Sequence, residues 1–244
     1  MLFWSFDSSR NHTNISMNIL WYNIVQDKIP EDLYKIFKES IIKNGYTGKF
    51  LTIGDRKTDA DWCFIATDEQ KIRYRLKNTQ YTSARSLLFY FAPEIIKQPW
   101  DWIIYSDVDV VCHENINKWI EELDKTKDVL ITSAIGNYPP IFLLQEHEKG
   151  IKFKEDQKNN HHPRSICFAV RGDKAVEFFT AYAMSISNGD YTYDTGLIVA
   201  LTRGNFNYGY LNGVSEFKQD ILTHYPNSAK MEMQKQPIKK KCCR

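Results

Sequence analysis

Trp102-Ile103-Ile104-Tyr105-Ser106-Asp107-Val108-Asp109-Val110-Val111 carries an apolar run straight into two carboxylates separated by one residue. Read as a single strand, Trp102–Val111, it alternates side chains across its faces. Asp107 and Asp109 then point the same way while Val108 points into the core. Ligands of α/β proteins bind at the carboxyl ends of parallel strands, where this pair would stand. Two convergent carboxylates repel each other unless a cation lies between them. A hard divalent ion with oxygen ligands, Mn²⁺ or Mg²⁺, meets that need.

Outward from this stretch, strand and helix alternate. Upstream, Ile19–Val25 reads as a strand, and Glu31–Lys43 as a helix with Leu33, Ile36, Phe37 and Ile41 at helical spacing. Pro30 suits its first turn and Gly45 its stop. Lys49–Ile53 and Trp62–Ala66 read as short strands, and Thr82–Ile96 as a longer helix with Leu87, Leu88, Phe91 and Ile95 on its apolar face. Downstream come a helix at Ile116–Lys125, a strand at Val129–Ala134 and an irregular insertion over 137–163. A strand at Ser165–Val170 follows, then helices at Lys174–Ser187 and Thr195–Thr202, and a short strand ending Asp220–Tyr225. The repeated β-α-β order predicts an α/β fold, a mainly parallel, Rossmann-like sheet with helices on both faces. No internal repeat or long linker divides the chain. A single domain is expected over 17–234, between a flexible segment at 1–16 and a basic flexible tail at 235–244.

The 244 residues are 43% hydrophobic and 25% charged, the balance of an ordinary globular chain. A net charge of +2 gives no field that argues for a nucleic-acid partner. No apolar run approaches the ~18 residues needed to span a bilayer, and the start lacks the basic flank of a signal peptide. Cys63, Cys112, Cys167, Cys242 and Cys243 are odd in number and lack metal-type spacing, so a cytoplasmic location is expected. Aromatic residues reach 14%, many beside polar ones, as in Trp21-Tyr22-Asn23. Flat rings next to hydrogen-bonding groups suit sugars and bases.

The segment from Ser83-Ala84-Arg85 through His113-Glu114-Asn115 resembles the D-x-D region of GT-A glycosyltransferases, especially glycogenin-like and small viral or bacterial members. The resemblance implies a GT-A-like fold and transfer of a sugar from a nucleoside-diphosphate donor, a UDP-sugar, to a glycan or other hydroxyl acceptor. It further implies that Asp107 contacts the donor ribose or the metal. Asp109 would ligate the metal, and Arg85 would reach a phosphate or the acidic site. Trp21, Tyr22 and Asn23 occupy the strand where such enzymes hold the base, with either ring a candidate to stack on it or, equally, to pack in the core.

Those families also finish with a histidine that completes the metal site and a lysine about six residues later on the diphosphate. His224 and Lys230 match that spacing, although Asn227 and Ser228 replace the usual intervening glycines. Gly189-Asp190-Tyr191-Thr192-Tyr193-Asp194 offers two carboxylates for the acceptor side. Asp194 is favoured over Asp190, and it would equally serve as the N-cap of the next helix. His161, His162 and Arg164 are candidates to line the acceptor site.

Two other readings compete. Asp107-Val108-Asp109-Val110 also satisfies the D-x-D-x-[TV] signature of haloacid-dehalogenase-type phosphatases, which would make Asp107 a nucleophile. Against this, three strands precede the acidic pair, and His224 and Lys230 would have no role. The third reading is a non-catalytic carbohydrate-binding protein, which predicts neither nucleotide-sugar binding nor metal dependence.

Overall fold

Ile19–Val25 is buried along almost its whole length, as a strand covered on both faces must be. Alternation divides it between two cores. Leu20 and Tyr22 face one side of the sheet, and Ile19 and Trp21 the other. The structure is a computed structural model that describes residues 17–26, 29–73, 88–135, 161–187, 193–216 and 219–225.

In chain order the first elements are β1 (Ile19–Val25), α1 (Glu31–Lys43), β2 (Lys49–Gly54), β3 (Trp62–Ile65) and α2 (Asp68–Arg73). Then come α3 (Leu88–Phe91), α4 (Pro93–Ile96), β4 (Trp102–Ser106), β5 (Val110–Cys112), α5 (Ile116–Glu121) and β6 (Val129–Ile135). The remainder is β7 (His161–Arg171), α6 (Ala175–Ser187), α7 (Tyr193–Arg203), β8 (Tyr208–Tyr210), β9 (Val214–Glu216) and β10 (Leu222–His224).

The main sheet has seven strands in the order β3-β2-β1-β4-β7-β6-β8. All its pairings are parallel except those of β7, which runs antiparallel to both β4 and β6. α1 and α5 cover one face through Leu33, Phe37, Ile41, Ile116 and Trp119. α3, α4, α6 and α7 cover the other through Leu88, Ile95, Phe178, Phe179 and Leu197. A second sheet of three strands, β5-β10-β9, lies beyond the end of β4. No helix among the described residues is long and apolar enough to cross a membrane.

The expected α/β architecture is therefore present, with local departures. The helix expected over Thr82–Ile96 is broken at Ala92, whose φ of −136° and ψ of 51° are not helical. Pro93 is the cause, because its ring excludes the helical conformation from the residue before it. The strand expected over Trp102–Val111 is two strands in different sheets. β7 begins at His161, inside the stretch expected to be irregular, and α2, β8 and β9 were not expected.

Candidate active site

β4 is buried throughout and lies between β1 and β7. It leaves the main sheet at Ser106, where three anchors hold it. The Trp21 indole Nε1 donates to Ser106 Oγ at 2.9 Å, Asn23 Nδ2 donates to Ser106 O at 2.9 Å, and Asp107 N donates to Ile166 O at 2.9 Å. The chain then turns through Val108 and Asp109 into β5, which pairs antiparallel with β10. That pairing sets His224 opposite Val110, and Tyr225 N closes the turn by donating to Asp109 O at 2.8 Å. The two carboxylates thus converge because a turn presents them, and strand alternation is not the reason.

His224 Nε2 lies 3.3 Å from Asp109 Oδ1 and 4.0 Å from Asp107 Oδ2. One donor atom from each of Asp107, Asp109 and His224 falls within 4.8 Å of the others. Asp109 and His224 are buried, each 6% exposed, and Asp107 is more open. Asp107 is also oriented, since Tyr105 Oη donates to its Oδ1 at 2.6 Å. On the far edge of the imidazole, Glu216 Oε1 lies 3.4 Å from Nδ1.

The electrostatics follow from this crowding of carboxylates. Burial disfavours the His224 cation, but Asp109 and Glu216 with the more distant Asp107 outweigh it and raise the imidazole to about 9. Glu216 is held below the usual carboxylate range by the imidazole, against the opposing effect of burial, with help from Arg164. Without an ion, a proton on His224 offsets part of the charge of the acidic pair. Two carboxylate oxygens and one imidazole nitrogen form a donor set that suits Mn²⁺ better than Mg²⁺, which prefers oxygen alone. Three such ligands would leave coordination positions for other oxygens.

Trp21 and Tyr22 do not present rings to a ligand. Both are fully buried. Trp21 packs edge-on to Phe37 and Tyr46 and stacks on Trp119 at 6.4 Å, and Tyr22 meets Tyr105 edge-on at 5.5 Å. A central strand with both faces covered leaves no ring free, which corrects the expected stacking on a base. Asn23 is also buried, with its amide spent on Ser106, and its Oδ1 finds no hydrogen-bond partner among the described residues.

Asp194 lies in the first turn of α7 and does not cap it. Its Oδ1 accepts from Ser165 N and Ser165 Oγ, both at 2.7 Å, and its Oδ2 lies 3.5 Å from Arg164 Nε. Arg164 also donates from Nη2 to Glu216 Oε1 at 3.1 Å. His161 and His162 open β7. Arg85, Asp190 and Lys230 lie outside the described residues.

Sequence reasoning missed Glu216 and Tyr105. The hydroxyl of Tyr105 was in view within the decisive stretch. Nothing near Glu216 in the sequence marks its meeting with His224, which depends on the pairing of β9 with β10.

No family model matches the chain, and no curated protein matches it. Among solved structures, it is similar to the galactosyltransferase LgtC, crystallised in complex with donor and acceptor sugar analogues. The similarity has a TM-score of 0.56 at 10% identity and covers 88% of this chain and 94% of that one. At that identity the likeness establishes the fold, which is GT-A-like, and the Asp107–Asp109–His224 cluster lies within it.

Proposed function

We propose that this chain is a glycosyltransferase that moves a sugar from a nucleoside-diphosphate donor, a UDP-sugar, to a hydroxyl of a glycan acceptor. The observation that carries the proposal is the cluster of Asp107, Asp109 and His224 at the carboxyl end of β4 on a GT-A-like sheet. That LgtC was crystallised with donor and acceptor sugar analogues supports sugar partners for this chain as well. The assignment covers residues 17–234 as one transferase domain.

A Mn²⁺ ion held by Asp107, Asp109 and His224 would offset the negative charge that builds on the departing diphosphate. The chain supplies the rest. Tyr105 fixes the rotation of the Asp107 carboxylate. Arg85 and Lys230 are assigned to the donor phosphates, while Asn23, buried with its amide on Ser106, holds the end of β4. Asp194 is assigned to the acceptor side, where its bonds from Ser165 hold its carboxylate in one orientation; Asp190 is the neighbouring candidate. A cytoplasmic location accords with the free thiols of Cys63, Cys112 and Cys167.

The phosphatase reading fits the site less well. Its nucleophile, Asp107, would have one oxygen engaged by the Tyr105 hydroxyl, and the imidazole between the carboxylates would have no task.

Thermal unfolding with nucleotides and nucleotide sugars, with and without Mn²⁺, tests the proposal. A ligand at ~100 times its dissociation constant stabilises by about 2.7 kcal/mol, a rise of roughly 5 to 10 °C for a domain of this size. The expected result is stabilisation by UDP or a UDP-sugar only with Mn²⁺. Asp109→Asn, which keeps the shape of the buried side chain and the Tyr225–Asp109 backbone bond, should abolish that shift and the transfer of sugar. Metal-dependent transfer at the wild-type rate by Asp109→Asn would overturn the assignment.

A further inference from the structure

The ring of His224 is flanked on both edges, and only one edge faces the metal cluster. Nε2 faces Asp109 and Asp107, while Nδ1 faces Glu216 Oε1 at 3.4 Å. The parallel pairing of β10 with β9 sets His224 level with Glu216, so the main chain fixes this contact. The same Glu216 oxygen accepts from Arg164 Nη2 at 3.1 Å, and Arg164 Nε stands 3.5 Å from Asp194 Oδ2. Opposite charges therefore alternate from the acidic turn through His224, Glu216 and Arg164 to α7.

Arg164 reaches this position through an irregularity in β7. The β6–β7 register runs regularly to Ile131 opposite Phe168 and then jumps, placing Thr132 opposite Arg164. A bulge of this kind re-aims side chains at the cost of ladder bonds.

An imidazole ligates a metal through an unprotonated nitrogen, and its other nitrogen carries a proton that needs an acceptor. Which nitrogen serves depends on where that acceptor stands. We infer that Glu216 is a positioning residue that keeps the proton on Nδ1 of His224 and so offers Nε2 to the metal, and that Arg164 acts through Glu216 by holding its carboxylate in place. The negative charge of Asp109 opposes that of Glu216, and the Arg164 guanidinium offsets this repulsion while tying the arrangement to Asp194. This inference rests on the metal reading of the Asp107–Asp109–His224 cluster.

Binding of Mn²⁺ alone to the full chain, followed by electron paramagnetic resonance and calorimetry, tests it. Glu216→Gln should weaken Mn²⁺ binding by about 10- to 100-fold, the usual cost of losing such a partner. Arg164→Met should weaken it in the same direction. The double variant should bind no more weakly than Glu216→Gln, because Arg164 acts through Glu216.

An unchanged Mn²⁺ affinity in folded Glu216→Gln overturns the inference, and additive losses in the double variant overturn the part assigned to Arg164. Should Glu216→Gln fail to fold, the wild-type chain loaded with Zn²⁺ decides the matter. Ring-¹⁵N correlations of His224, assigned by their loss in His224→Gln, should show the proton on Nδ1, and an Nδ1-ligated ring overturns the inference. If the wild-type chain binds neither Mn²⁺ nor Zn²⁺, the metal reading and this inference fall together. If it binds them but is indifferent to Glu216→Gln, only this inference falls.

Discussion

His224 Nε2 lies 3.3 Å from Asp109 Oδ1, close enough that either a proton on the imidazole or a metal ion can satisfy the carboxylate, but not both at Nε2. The metal must displace the proton, so the two compete. With the imidazole raised to about 9, the metal-free chain holds that proton at neutral pH. A raised histidine stabilises the fold fully below its unfolded value, and that contribution is lost as the pH climbs through about 9. Two outcomes are expected. The melting temperature of the metal-free chain should fall as the pH is raised toward that value. Apparent Mn²⁺ affinity should rise by about tenfold per pH unit between about pH 6.5 and 8.5, as proton competition fades. Calorimetry across that range checks the second, and a flat profile would place the metal away from His224.

Tyr105→Phe isolates the orientation of Asp107. The ring keeps its stacking on Phe168 at 4.9 Å and its edge contact with Tyr22, so packing survives. The 2.6 Å bond from the hydroxyl to Asp107 Oδ1 is lost. Stability should fall by no more than about 3 kcal/mol, the upper range for a hydrogen bond to a charged group. Mn²⁺ affinity should fall about tenfold, because a carboxylate free to rotate must be ordered on binding. Equal Mn²⁺ affinity in variant and wild type would show that the turn alone orients Asp107.

What the sequence made legible follows the range of each interaction. β1, α1 and β2 could be read because their periodicity is local, and Asp107 and Asp109 because both ligands lie in one short stretch. His224 came from resemblance, since a lone histidine after an apolar run has no local signal. Glu216 was not legible, because its meeting with the imidazole is made by two strands that pair only once the second sheet forms. Whether Trp21 and Tyr22 stack on a ligand or pack in the core was undecided in the sequence for a related reason. Polar neighbours suit contact with a sugar or base, but the sheet order puts β1 between β2 and β4 with helices on both faces. The break at Pro93 was readable, and the apolar pattern of Leu87 to Ile95 obscured it.

Gly172→Ala tests the join between β7 and α6. A Cβ there would lie 1.7 Å from the carbonyl oxygen of Trp100. The strand cannot easily retreat, because Gly172 N donates to Asp101 O at 3.0 Å and Trp102 pairs with Arg171. Relieving the overlap requires main-chain movement beside β4, and a loss of about 3 kcal/mol is expected. That corresponds to a fall of roughly 6 to 12 °C in melting temperature, with Mn²⁺ binding retained well below the transition. A melting temperature equal to wild type would mean that the Trp100–Asp101 turn is softer than its hydrogen bonds indicate.

Asn23 separates a positioning role from a binding one. Its Nδ2 donates to Ser106 O at 2.9 Å and approaches Ser106 Oγ at 3.3 Å, so it pins β4 where the chain leaves the main sheet for the acidic turn. Asn23→Asp keeps the shape but replaces the donor with an acceptor, setting a carboxylate oxygen against the Ser106 carbonyl in a fully buried place. A buried polar group left facing another acceptor costs more than a lost bond, so about 3 kcal/mol is expected. Asn23→Ala, which leaves the carbonyl unserved without adding repulsion, should cost about 1 to 3 kcal/mol. Both variants should also weaken Mn²⁺ binding, because the turn that carries Asp107 and Asp109 loses its anchor. A residue that only touched the nucleoside would behave differently: melting temperature and Mn²⁺ affinity would stay at wild-type values while stabilisation by UDP disappeared. Measuring all three quantities on the two variants assigns Asn23 to one role or the other.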